Sequence, residues 1–198
     1  LSELPRIQLI LGSTREGRFS ERAAAWVIDR LRSRDDLDAE LVDLRDYPMP
    51  YYDQDRPPAY GLREYPPEVA RWAATVERAD GYMVITSEYN HGYPAVLKNA
   101  LDNVHPELNR KPISFVGYGN VGGARAIEQL RLVAIELEMA PLRHAVHILP
   151  ATLVPAIKAE EPFDVELLAS LDDKLETAAT DLVWWARALA AARVPDAA

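Results

Sequence analysis

Cysteine is absent from the 198 residues. That excludes a disulfide framework, a thiol nucleophile and Cys-ligated clusters, and it fits a reducing cytoplasm. Basic residues are in deficit: 22 Lys and Arg against 31 Asp and Glu leave a net charge of −9. A nucleic-acid-binding chain carries a basic face, and here the arginines are scattered among acids. Long apolar runs are also missing. Ile7 to Leu11 is the only early one, and it is far too short for a signal core or a membrane span. No partner nucleic acid and no membrane are therefore expected. Internal repeats and low-complexity segments are absent as well. At 48% hydrophobic and 27% charged, the chain can bury a full core. Its length suits one domain covering residues 1–198.

What is present alternates. Short apolar strands are expected at Ile7–Leu11, Ala39–Leu44, Gly81–Thr86, Pro112–Tyr118 and His144–Leu149. Between them lie runs with helical periodicity, such as Ala23, Ala24, Val27, Ile28 and Leu31. Tyr82-Met83-Val84-Ile85 is almost wholly apolar, as in a strand covered on both faces. A last amphipathic helix is expected from about Asp164 to Arg193. Strands alternating with helices predict an α/β fold with helices on both faces of a parallel sheet. Five strands fit the three-layer flavodoxin-like order 2-1-3-4-5, with a ligand outside the strands' carboxyl ends. One segment departs from this rhythm. Tyr47 to Pro67 holds six prolines and five tyrosines, a density that blocks regular structure and suits a surface closing over a ligand or a partner chain.

The first strand runs into Gly12-Ser13-Thr14-Arg15-Glu16-Gly17-Arg18-Phe19-Ser20 and then into a helix for which Ser20 is the expected cap. Strand, loop and helix in that order aim unpaired N–H groups and a positive dipole end at the loop's contents. Ser13, Thr14 and Ser20 add hydroxyl donors, and Arg15 and Arg18 add cationic forks. An ordinary turn with solvated arginines has the same sequence, so the loop alone does not decide. Two further loops, Ser87–Pro94 and Gly117–Gly123, follow strands three and four. In a doubly wound sheet all three lie on one edge and can meet on one ligand.

Rival motifs fall short. Gly117-Tyr118-Gly119-Asn120-Val121-Gly122 is formally GxGxxG, but the next strand ends Ile148-Leu149-Pro150 without the acid a dinucleotide site needs. No Gly-Lys-Ser/Thr follows the first loop, no HExxH is present, and no GxSxG follows a strand. His144 and His147 are three apart on a strand, hence on opposite faces, and read as structural. Glu88 and Asp102 are possible catalytic carboxylates that nothing marks as desolvated.

These residues resemble one family. Gly12-Ser13-Thr14-Arg15 with Ser20 resembles the phosphate loop of the NAD(P)H-dependent FMN reductases, which have the flavodoxin-like fold. Glu88-Tyr89-Asn90, Pro94 and Leu97-Lys98-Asn99-Ala100-Leu101-Asp102 resemble its long second signature. Gly122-Gly123-Ala124-Arg125 resembles its third, and Pro50-Tyr51-Tyr52-Asp53 its loop after strand two. Ser87 stands where the family usually has Pro, and Asn103 where many members have Trp. The family includes quinone, chromate and azo-dye reductases. The resemblance implies FMN as cofactor and NADPH or NADH as co-substrate. It places the phosphate on Ser13, Thr14, Arg15, Arg18 and Ser20. The flavin ring would lie against Ser87, Glu88, Tyr89, Asn90 and His91, with Gly117, Tyr118, Gly119 and Gly122 at its other side. It implies a cytoplasmic homodimer or homotetramer that passes a hydride from NAD(P)H through FMN to quinones, free flavin or another small acceptor, with no catalytic side chain. The alternative is a non-enzymatic flavodoxin-type carrier between protein partners.

Overall fold

A computed structural model describes residues 4–60 and 64–193. Five parallel strands, β1 (Arg6–Leu11), β2 (Asp38–Asp43), β3 (Gly81–Ser87), β4 (Pro112–Tyr118) and β5 (Ala140–Ile148), form one sheet in the order β2-β1-β3-β4-β5. The strand order expected from the sequence is the one observed. Among the described residues six α-helices cover it: α1 (Ser20–Arg32), α2 (Pro67–Glu77), α3 (Ala95–Asp102), α4 (Ala124–Glu136), α5 (Pro150–Lys158) and α6 (Asp172–Arg193).

Period two divides each inner strand between two cores. Ile7, Leu9 and Leu11 of β1 join Met83, Ile85, Val116 and Val146 beneath α1 and α6. Ile10 joins Tyr82, Val84, Ile113 and Phe115 beneath α2, α3 and α4. Every residue of β3 and β4 is buried, as a sheet covered on both faces requires. Indole donors tie helices to their neighbours. Trp26 Nε1 donates to Asp172 at the start of α6 (2.8 Å), and Trp72 Nε1 to Ala100 O in α3 (2.8 Å).

Two expectations need correction, and one helix was not anticipated. The segment after β5 is helical, and the sequence hid α5 behind two prolines. Pro150 sits in the first turn, where its missing N–H costs nothing; Pro155 lies inside the helix. The last helix does not run unbroken from Asp164. Residues Val165–Leu171 are 3-10, with Asp164 capping Glu166 N, and α6 starts at Asp172. Finally, Ser20 is not the cap of α1. Phe19 occupies that position in helical conformation with no side-chain cap, and Ser20 opens the helix itself.

The register brings the strand ends level. Leu11 pairs with Asp43 on one side and Ile85 on the other, and Ile85 pairs with Val116. The loops after β1, β2, β3 and β4 therefore leave the sheet along one edge. Among the described residues no helix is long and apolar enough to cross a membrane.

Candidate active site

The loop after β1 starts at Gly12, whose N–H donates to Ile85 O of β3 (2.9 Å). A Cβ there would lie 2.9 Å from that oxygen, so the loop leaves the sheet at a point only glycine can occupy. Ser13 is buried, and its Oγ shares a 2.9 Å hydrogen bond with Tyr89 Oη, joining the first loop to the loop after β3. Thr14 and Arg15 are exposed, and among the described residues the Arg15 guanidinium enters no ion pair.

Arg18 does the opposite of what the sequence suggests. Its side chain is 1% exposed and bound to Asp43 at the end of β2. Nη1 donates to Asp43 Oδ1 (2.8 Å) and to Ser13 O, Nη2 to Asp43 Oδ2, and Nε to Glu21 (3.1 Å). Burial alone would raise the Asp43 pKa, but the hydrogen bond and charge of Arg18, with the N–H of Arg45, outweigh it and hold the carboxyl below its usual range. Four of the five N–H groups of Arg18 are taken by protein acceptors, which makes it a strut of the loop.

The β3–α3 loop is a two-residue turn. Tyr89 and Gly92 exchange both backbone hydrogen bonds (2.8 and 3.0 Å), and Asn90 and His91 between them have φ of 50° and 71°. That is a type I′ geometry. Asn tolerates it; His in the second place is strained. The turn is fastened to α4 from both ends. Glu88, 5% exposed, receives Arg125 N (3.2 Å) and Arg125 Nε (2.6 Å). Gln129 donates to His91 O (2.9 Å), and Arg125 Nη1 lies 2.9 Å from His91 Nε2. A guanidinium only donates, so Nε2 is the acceptor and the imidazole proton sits on Nδ1. Burial works to raise the Glu88 pKa, but Arg125 prevails and keeps it below the usual carboxylate range.

This strain can be measured. His91→Gly removes the left-handed penalty and raises unfolded-chain entropy, and the two nearly cancel, within about 1 kcal/mol. His91→Val keeps the φ requirement on a branched residue and should cost about 1–2 kcal/mol or more. Urea midpoints of the two variants test this. Equal loss in both would mean that the Arg125 contact, not the backbone, holds the turn.

The β4–α4 loop is packed backbone on backbone. A Cβ on Gly117 would lie 2.5 Å from Gly122 O, and one on Gly122 would lie 2.7 Å from His147 Cβ at a φ of 63°. His147 Nδ1 lies 2.9 Å from Gly122 O and so donates to it. A Cβ on Gly119 would lie 3.6 Å from Glu88 Cβ. Tyr118 departs from its expected place. Its ring turns into the core and meets Phe19 edge-on at 5.2 Å. Burial raises the pKa of its phenol. The nearby hydroxyls of Ser20 and Ser87 oppose that shift without forming hydrogen bonds of good geometry.

Those two hydroxyls test the cofactor. Ser20 Oγ and Ser87 Oγ are buried with no partner, at the ends of two different elements on the same edge. Buried polar atoms are almost always paired, so unmet hydrogen-bonding capacity lies where an oxygen-rich ligand is expected. With Arg15 in no ion pair among the described residues and the first N–H groups of α1 following in the same loop, the residues fit a flavin phosphate.

The sequence passed over Asp43, Arg45 and the clamp made by Asn99. Asn99 Oδ1 accepts Tyr52 N (2.9 Å), and its Nδ2 donates to Pro50 O (2.8 Å), pinning the proline-rich segment to α3. Tyr51 and Tyr60 of that segment stand 81% and 79% exposed. A cleft of about 300 Å³ lies between the segment and the first loop, lined by Thr14, Arg45, Tyr47, Met49, Val96 and Asn99. Asp102, the other candidate carboxylate, is paired with Lys98 on its own helix.

The strand order, the anion loop at the switch point and the glycine-rich wall define a flavodoxin-like flavoprotein. The chain matches the NADPH-dependent FMN reductase family over residues 5–152. An NAD(P)H-dependent FMN reductase of Schizosaccharomyces pombe is 37% identical over 157 residues, covering 78% of this chain and 76% of the relative. A quinone reductase of Escherichia coli K12 is 32% identical over 144 residues, covering 70% and 73%. Among solved structures, the flavoenzyme NAD(P)H:(acceptor) oxidoreductase FerB of Paracoccus denitrificans superposes with a TM-score of 0.68 at 20% identity, covering 93% and 98%. This chain belongs to the NADPH-dependent FMN reductase family. It is an oxidoreductase, with FMN as cofactor and NAD(P)H as co-substrate.

Proposed function

We propose that this enzyme reduces a small acceptor, a quinone or free flavin, and that the three loops just described form its flavin site. Bound FMN would supply the chemistry, taking a hydride from NAD(P)H and passing reducing equivalents on. In this reading Ser13, Thr14, Arg15 and Ser20 hold the phosphate with the first N–H groups of α1. Backbone from Ser87 to His91 and from Gly117 to Gly122 borders the ring. The observation that carries the reading is the pair of orphaned hydroxyls, Ser20 and Ser87, at the base of two converging loops.

No side chain is needed as an obligatory acid or base. Glu88 is tied to Arg125 as a carboxylate, and His91 Nε2 is occupied by the same guanidinium. The exposed Tyr51 and Tyr60 support a homodimer or homotetramer, since apolar rings of this size suit burial against another copy. The absence of cysteine suits a cytoplasmic setting. The test is anaerobic. NADPH alone should bleach the flavin absorbance of the purified protein, and a soluble quinone should restore it. Flavin that stays oxidised under NADPH and NADH would overturn the proposal. His91→Gly should retain most of the reductive rate.

A further inference from the structure

Three successive carbonyls of the β1–α1 loop are held by two arginines. Arg18 Nη1 takes Ser13 O; Arg45 Nε takes Thr14 O (3.3 Å), and Arg45 Nη2 takes Arg15 O (2.6 Å). Arg45 lies 30 residues beyond Arg15, in the short 3-10 turn Leu44–Asp46 that follows β2. Each guanidinium is fixed by carboxylates. Glu21 Oε1 receives both Arg18 Nε (3.1 Å) and Arg45 Nη1 (2.6 Å). Asp43 Oδ1 receives both Arg18 Nη1 (2.8 Å) and Arg45 N (2.9 Å). Arg18, Glu21, Arg45 and Asp43 close a ring with two positive and two negative charges, Arg45 completing it through its backbone N–H.

The geometry has a direct effect on the backbone. A trans peptide is planar, so its C=O and the following N–H point in opposite directions. Drawing the carbonyls of residues 13, 14 and 15 toward the ring turns the N–H groups of Thr14, Arg15 and Glu16 away from it. It also removes three negative dipole ends from the neighbourhood of an anion. The ring is neutral, so Arg45 contributes direction, and among the described residues the loop's unpaired cation is Arg15, with the unpaired carboxylate of Glu16 next to it in the chain.

We infer that Arg45 is a positioning residue that gives the loop its preference for a phosphate by holding the carbonyls of Thr14 and Arg15 away from the anion. The inference rests on the reading of this loop as the FMN phosphate site. It assigns Arg45 no contact with the cofactor.

The test compares FMN with riboflavin, which shares the ring and lacks the phosphate. Both are titrated into apoprotein by flavin fluorescence. Wild type should prefer FMN. Arg45→Met should weaken FMN about tenfold or more, the scale of one or two charge-assisted hydrogen bonds. Its riboflavin affinity should stay within about twofold and its apoprotein melting temperature should hold, because Arg45 is part-exposed and packs no core. Arg45→Lys keeps the charge but loses the planar fork, and should behave like Arg45→Met. Glu21→Gln, which loosens both guanidiniums, should shift FMN affinity in the same direction. Full recovery by lysine would show that charge alone acts and would overturn the inference. So would an equal loss for FMN and riboflavin, or FMN affinity unchanged in Arg45→Met. A wild type without preference for FMN would instead overturn the phosphate-loop reading itself.

Discussion

Arg15→Ala is expected to weaken FMN binding by about ten- to a hundredfold while leaving the apoprotein as stable as wild type. The size follows from one or two charge-assisted hydrogen bonds of about 1.5–3 kcal/mol. The selectivity follows from place. Arg15 is exposed on the loop, makes no ion pair among the described residues and supports no core residue. Its guanidinium is free to be spent wholly on the ligand. Titration of apoprotein with FMN, beside a thermal melt, separates the two effects. Unchanged FMN affinity would return Arg15 to the status of a solvated charge.

Arg18→Met should show the reverse pattern, with a loss of about 3–5 kcal/mol in unfolding free energy, the range for removing one partner of a buried ion pair. Asp43 would be left with its desolvation and without the guanidinium that offsets it, and Ser13 O would lose its donor. The carboxyl of Asp43 is held below its ordinary value in the folded protein. Its contribution is therefore complete above the ordinary carboxylate range and is lost as pH falls through the folded value. The gap between wild type and Arg18→Met should narrow in acid and stay wide at neutral pH. Urea midpoints measured at several pH values check both statements. A variant as stable as wild type that binds FMN poorly would mean that Arg18 reaches the phosphate after all.

The contrast between these two arginines shows where sequence reading succeeds and where it stops. β4 was legible to the residue, and β3 to within one, because apolar runs bounded by loop residues signal buried strands directly. The convergence of loops followed from topology. The direction of Arg18 did not follow, since a cation in a polar loop can face a ligand or the end of the next strand. The deciding partner, Asp43, is adjacent only through the register Leu11↔Asp43. Tyr118 was within reach. It shares strand parity with Val116, and counting by twos would have placed its ring in the α1 and α6 core, with its phenol beside Ser20 and Ser87. α5 was hidden by its prolines. The clamp of Asn99 on Pro50 and Tyr52 spans almost fifty residues, and no local pattern reports it.

The two-residue turn from Tyr89 to Gly92 bears on how the ligand arrives. Its left-handed pair is fixed by its own hydrogen bonds and by α4. The conformational entropy of ordering that loop is therefore lost when the protein folds, and binding does not have to meet it again. FMN uptake then resembles docking into a finished surface more than folding around a guest. The heat-capacity change on binding should reflect the area the flavin covers, without the larger negative contribution of a segment that condenses as it binds.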